Sequence, residues 1–362
     1  MNKKWTAVIV LLILLLAGAG WYAFKSIPGP TAPAAPHKDV LIGFSLGTLQ
    51  EERWQRDKIE FLKAAADRGV VVDLESSDNS SSTQISQIEG MIVKGVNVLV
   101  IAPYDATSLT GVLAEAHKAG IKVLSYDRLI TNADVDMYIS FDNEKVGEYE
   151  AQSVVNALSD KLGKGKTLKI AYIGGAPTDN NSVLVKQGAF KILQPLIDSK
   201  QIQIVLNKLT PNWDPELAYQ NLKAYLDASH GDIDGVVAAN DGTAFGSIEA
   251  LHEYGLDGKV PISGQDAELS AIQRIIAGTQ TATVYKPIAG LASTAVDLAI
   301  QLAEGVAVSA TTTPLYNGVM DVPSVLLQSM EIVTKSNIDS TVIQDGYYTK
   351  SEVYDTATTT KS

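Results

Sequence analysis

Two α/β lobes, each a doubly wound parallel sheet, with a ligand cleft between them, are the architecture this sequence predicts. Three observations carry the prediction. The chain has 362 residues, the length of two ordinary domains. Its hydrophobic fraction is 46%, and its 28 Gly and 13 Pro are near ordinary usage, which excludes collagen, coiled coil and wholesale disorder. From Asp39 onward, short β-branched runs alternate with longer segments of helical period, in one series and then in a second.

The chain opens with two lysines in Met1 to Lys4, followed by an apolar run from Trp5 through Phe24 that ends at Lys25. Residues 1–25 are therefore a signal peptide or a transmembrane anchor. Ala17-Gly18-Ala19 suits signal peptidase. Equally, about 20 apolar residues rising 1.5 Å each span the roughly 30 Å of a bilayer core, with Trp5 and Trp21-Tyr22 placed as interfacial aromatics. On either reading the leading lysines put everything after Lys25 outside the cytoplasm. Residues 26–38 are Pro-rich and read as a stiff extended spacer.

The first series begins with a strand at Val40 to Ser45 and a helix from Glu52 to Arg68, with Trp54, Ile59, Leu62 and Ala66 along one side. Strands follow at Val70 to Leu74, Val98 to Ala102 and Lys122 to Ser125, separated by helices at Ser82 to Lys94 and Ala106 to Ala119. Met137 to Asp142 reads as a strand crossing between lobes. In the second series strands are expected at Leu168 to Ile173, Gln203 to Leu206, Gly235 to Ala238, Pro261 to Gly264 and Thr281 to Tyr285. Residues 351–362 end in a polar run and are expected to be a flexible tail.

Charge and composition narrow the chemistry. Lys+Arg is 29 against Asp+Glu 41, a net charge of −12 with no local basic patch, so a nucleic-acid partner is excluded. With no Cys there is no disulfide, no zinc-thiolate site and no lipidated cysteine. Leu162 to Thr167 imitates a P-loop, but Asp160 stands where the first glycine belongs and the segment precedes a strand. Gly174-Gly175 lacks the third glycine of a dinucleotide fingerprint and reads as a tight turn near the ligand. The four histidines are scattered, which supports neither a hydrolase triad nor a metal site, and no cofactor is implied.

In open parallel sheets the ligand sits beyond the carboxyl ends of the strands. Those positions hold Glu51-Glu52-Arg53-Trp54, Asp127-Arg128, Asp179-Asn180-Asn181, Trp213, Asn240-Asp241, Gln265-Asp266 and Lys286. A sugar hydroxyl both donates and accepts, so a sugar site needs carboxylates to accept, Arg and Lys to donate, and Asn to do both. Flat indoles suit the apolar C–H faces of a pyranose. Of four tryptophans, the two outside the apolar run, Trp54 and Trp213, fall beside strand ends, one in each series. Each residue also has a purely structural reading: Asp179, Asp241 and Asp266 fit helix N-caps, Trp54 fits the core beside Ile59 and Leu62, and Asp127-Arg128 fits a local ion pair. Seven strand ends agreeing exceeds what capping alone produces. Paired carboxylates also serve glycosidases, so a sugar-active enzyme is the alternative from another class.

Glu52-Arg53-Trp54-Gln55, Lys122 to Arg128, Tyr138 to Gly147, Ile262 to Asp266 and Thr283 to Pro287 resemble the D-xylose-binding members of the bacterial periplasmic sugar-binding family, and the similarity runs from Asp39 to Tyr348. The resemblance implies a type I periplasmic binding fold, a hinged clamp that closes on one sugar without chemistry. It implies lobes of 39–140 plus about 286–328 and of 141–285 plus about 329–350. Matched position by position, its implied contacts are Arg53, Trp54, Asp127, Arg128, Asp179, Asn181, Trp213, Asn240, Asp266 and Lys286. The implied ligand is D-xylose or a close pentose, and the implied partner is a membrane ABC permease. The sequence departs from the family at its N-terminus, where a long apolar run stands without a lipidated Cys; this leaves open an anchored sensor subunit signalling to a membrane histidine kinase.

Overall fold

The computed structural model describes residues 39–308 and 310–355. The expected signal or anchor, the Pro-rich spacer and residues 356–362 lie outside them. Among the described residues no helix is long and apolar enough to cross a membrane.

The first series forms β1 (Leu41–Leu46), α1 (Glu52–Asp67), β2 (Val71–Ser76), α2 (Ser81–Lys94), β3 (Val98–Ala102), α3 (Thr110–Lys118), β4 (Lys122–Tyr126) and β5 (Met137–Phe141). The second forms α4 (Asn143–Ala157), β6 (Leu168–Gly174), α5 (Asn180–Asp198), β7 (Ile202–Leu209), α6 (Pro215–Ser229), β8 (Gly235–Ala238), α7 (Asp241–Glu253), α8 (Leu269–Ala277) and β9 (Thr283–Tyr285). The chain then adds α9 (Ile288–Ala303), β10 (Thr312–Tyr316), β11 (Asp321–Leu327), β12 (Glu331–Val333) and α10 (Lys350–Tyr354).

A seven-stranded sheet in the order β10-β11-β5-β4-β3-β1-β2 organises the first lobe, and a three-stranded sheet in the order β7-β6-β8 organises the second. Every pairing is parallel except that of the edge strand β10 with β11. β9 and β12 pair antiparallel, and the bridges Val236 to Ile262 and Gln265 to Val284 carry the second sheet toward them. The helices α4 and α5 approach backbone to backbone: a Cβ on Gly147 would lie 1.9 Å from the Val185 carbonyl oxygen, and one on Gly188 would lie 1.8 Å from that of Glu144. Only glycine permits that approach, which packs the first turn of α4 against the interior of α5.

Four sequence expectations are corrected. Met137–Phe141 is a fully buried strand inside the first sheet, between β4 and β11. Pro261 to Gly264 makes a single bridge instead of a strand, because Pro261 has no N–H to donate and Ile262 gives its own to the Thr281 hydroxyl. The tail starts later than 351, since Thr349 and Glu352 close a capping box on α10. Finally, α1 turns a different face inward. Arg53, Trp54, Asp57, Phe61, Ala64 and Ala65 are buried, while Ile59 is 62% exposed. Phe61 anchors that face against Phe44 at a ring separation of 4.1 Å, and Arg53 with Asp57 makes it look polar in sequence because the pair neutralises itself one turn apart.

Candidate functional site

The carboxyl ends of both sheets face one cavity. All ten residues implied by the resemblance line it, together with Glu51, Asn143 and Gln265. Arg53 and Trp54 occupy the first turn of α1; Asp127 and Arg128 follow β4; Asp179 caps α5 and Asn181 sits in its first turn. Trp213 closes a short 3₁₀ turn after β7, Asn240 caps α7, and Asp266 and Lys286 follow the bridge segment and β9. Asp127 (φ 60°), Trp213 (φ 56°) and Asp266 (φ 91°) are held in the left-handed region, which L-residues adopt at a cost. Three of the lining residues are thus held by strained backbone.

The cations of the cavity are each paired with a carboxylate. Arg53 bonds Asp127 at 3.0 Å and Asp57 at 3.0 Å, and lies 3.7 Å from Asp266. Arg128 pairs with Asp179 at 2.8 Å, and Lys286 pairs with Asp266 at 2.8 Å while donating to Gln265 at 2.9 Å. Three cations thus face Asp127, Asp179 and Asp266, while Glu51 is a fourth carboxyl in the lining with one buried oxygen that has no hydrogen-bond partner. Burial pushes the Asp127 carboxyl up, but Arg53, Lys286 and Arg128 outweigh it and hold the group below its ordinary range. For Asp179 burial wins over Arg128 and the group is raised. Burial likewise raises Glu51 against the pull of Arg128. Asn181 donates to the Asp127 carboxylate at 3.1 Å, while its own Oδ1 is buried with no hydrogen-bond partner, an acceptor available to a ligand hydroxyl.

The indoles differ. Trp54 is buried with the guanidinium carbons of Arg53 and Arg128 at 4.3 and 4.9 Å from its ring centroid, so it positions the arginines as well as lining the cavity. Trp213 donates Nε1–H to Asp179 at 3.2 Å and lies flat on Gly175. The capping reading holds in addition for Asp179, which accepts from Asn181 N at 2.9 Å, while Glu268 and not Asp266 is the N-cap of α8. Asp241 is no cap and lies outside the cavity lining; it accepts from Gln280, Thr283 and the Glu268 backbone at 2.7, 2.9 and 3.0 Å. Asn143 was missed: taking Met137 to Asp142 as a crossing strand drew attention away from its carboxyl end.

Among the described residues no group of three or more His, Asp or Glu could hold a metal ion. His117 is bound to Asp136 at 2.9 Å, and none of the described histidines lines the cavity.

A family model described as a periplasmic binding protein domain matches residues 42–307. The chain belongs to this family. As a periplasmic binding protein it is 48% identical over 323 residues to the D-xylose-binding periplasmic protein of Escherichia coli K12, covering 89% of this chain and 95% of that one. It is 39% identical to the multiple sugar-binding periplasmic receptor ChvE of Rhizobium radiobacter, covering 88% of this chain and 93% of that one. Among solved structures it superposes with TM-score 0.79 on an ABC transporter solute binding protein from Clostridium phytofermentans with bound β-D-glucose, at 31% identity, covering 86% of this chain and 99% of that one. These matches establish the type I periplasmic binding fold read from the sequence.

Beside the cavity, burial lifts two more carboxyls of this periplasmic binding protein, Asp241 to about 7 with added repulsion from Asp266, and Glu268 to about 8 with added repulsion from Asp241 and Asp266. Both bind a proton more tightly in the folded chain than in the unfolded one, so raising the pH from the ordinary carboxylate range through about 8 removes stability. The denaturation midpoint should therefore be lower at alkaline pH than at mildly acidic pH, and Glu268→Gln should flatten the difference. A midpoint that rises with pH over that range contradicts this assignment.

Proposed function

We propose that the protein is an extracytoplasmic receptor that closes its two lobes on one molecule of D-xylose and delivers it to a membrane ABC permease. The observation that carries the reading is the cavity itself. It draws charged donors, carboxylates and amides from both lobes, and each of its cations is already paired with a carboxylate, which suits an uncharged polyhydroxylated ligand and disfavours an anion. Likeness to the E. coli D-xylose-binding protein at 48% identity selects the pentose. A hydroxyl bonded to a charged partner contributes roughly 1.5–3 kcal/mol, so a few such bonds with a stacked indole reach the about −8 kcal/mol of a micromolar complex after ordering costs.

No step of chemistry is assigned to Asp127, Asp179 and Asp266, because each is matched by a cation. The ligand drives closure by touching both lobes at once. The extracytoplasmic placement follows from the lysines before residues 5–24, and the N-terminal residue of the mature protein decides between a cleaved signal and a retained anchor.

Calorimetric titration with D-xylose should give one site per chain and a micromolar dissociation constant, and the sugar should be recovered unchanged by NMR after a day. An absence of heat up to millimolar sugar, or any product, overturns the reading.

A further inference from the structure

We propose that Tyr104 and Asn212 form a lock across the cleft, outside the sugar cavity, that engages when the lobes close and sets how long the ligand is held. The proposal rests on the sugar-binding reading above and adds residues that line no part of the inner cavity.

Tyr104 stands two residues beyond β3 of the first sheet. Its backbone is fixed from below: its N–H donates to Gln84 Oε1 at 2.9 Å, and the buried Gln84 is itself tied to Ser45 Oγ and the Ala102 carbonyl at 3.1 and 3.0 Å. The phenol is thus presented from a rigid base. Across the cleft, Tyr104 donates its hydroxyl to Asn212 Oδ1 at 3.0 Å.

Asn212 belongs to the turn that carries Trp213, and the two are consecutive left-handed residues with φ of 57° and 56°. Asparagine is one of the few side chains that tolerate that conformation. The turn is therefore strained at the position that aims the indole into the cavity, and the Tyr104 hydroxyl grips it there. A second bond close by, from Ala106 N–H to the Thr178 carbonyl at 2.9 Å, also runs between the lobes but is main chain on both sides. Of these two bonds, the Tyr104 lock is the one a side-chain change removes.

A bond that exists only in the closed clamp adds to the barrier for opening and leaves the encounter with sugar untouched. Tyr104 is thus a positioning residue whose signature is kinetic. In stopped-flow measurements of tryptophan fluorescence with D-xylose, Tyr104→Phe should raise the dissociation rate about three- to tenfold. The association rate should stay within about twofold, and the melting temperature without sugar should be unchanged. Asn212→Gly, which keeps the backbone free to adopt a positive φ, should give a similar rise. The double variant should dissociate no faster than Asn212→Gly alone. A wild-type dissociation rate in Tyr104→Phe, effects that multiply in the double variant, or a sugar-free melting temperature that falls in step with affinity overturns the lock. If the wild-type chain binds no sugar, the functional reading fails and the lock with it; wild-type binding with an unaffected Tyr104→Phe sinks the lock alone.

Discussion

Arg53→Ala should cost the protein about 3–5 kcal/mol of folding stability and abolish sugar binding. The guanidinium is 6% exposed and is the shared counter-charge of Asp57, Asp127 and Asp266. Without it Asp57, itself wholly buried, keeps only the hydroxyl of Tyr126, which donates at 2.5 Å. Its carboxyl already stands above its ordinary range because burial outweighs Arg53, so losing the cation drives it further up. Asp127 moves the same way from the other side, since Arg53 is the leading cation that holds it below its ordinary range. The stability deficit should therefore shrink as the pH is lowered and these carboxyls take up protons. Urea unfolding at two pH values and a calorimetric titration measure both effects. Arg53→Lys returns the charge but not the two-pronged geometry and should recover more stability than affinity. An Arg53→Ala protein with the wild-type unfolding midpoint would show that the network is not cooperative.

This network explains both what the sequence disclosed and what it concealed. The strand-end rule found the site because the topology of a parallel sheet places every βα junction on one edge, whatever the local propensities. Arg53, Asp127, Asp179, Asp266 and Lys286 are conspicuous there because a charge at such a junction needs a reason. The same pairing misled the reading of α1. An apolar stripe through Ile59 and Leu62 looks like the core side only if charged residues are assumed to face water, and Arg53 with Asp57 break that assumption by neutralising each other in the interior. Strands β10 and β11 gave no local signal either. β10 pairs with β11, and the pairing of β11 with β5 joins segments far apart in sequence, so nothing within a short window announces it. Asn143 was hidden for a topological reason: its strand belongs inside the first sheet, and only the sheet order reveals that its end faces the cavity.

The second large effect should come from a residue that cannot touch a ligand at all. Gly175 forms the floor on which the Trp213 indole lies, and a Cβ there would sit 2.1 Å from Cη2, 2.2 Å from Cζ3 and 2.3 Å from Cζ2 of that ring. No rotamer adjustment of a methyl is available, so Gly175→Ala must move the indole. Moving it also breaks the bond from Trp213 Nε1–H to Asp179, leaving that carboxylate to Arg128 and the Asn181 backbone N–H. D-xylose affinity should fall about ten- to a hundredfold, or roughly 1.4–2.8 kcal/mol, and the fluorescence change on binding should shrink. Trp213→Ala removes the indole outright and should cost a similar amount. If the purpose of Gly175 is to seat that ring, adding Gly175→Ala to Trp213→Ala should cost little more, since the methyl then enters vacated space. Unaltered sugar affinity in Gly175→Ala would remove Trp213 from the ligand platform, and losses that add fully in the double variant would mean that the glycine serves the backbone instead of the indole.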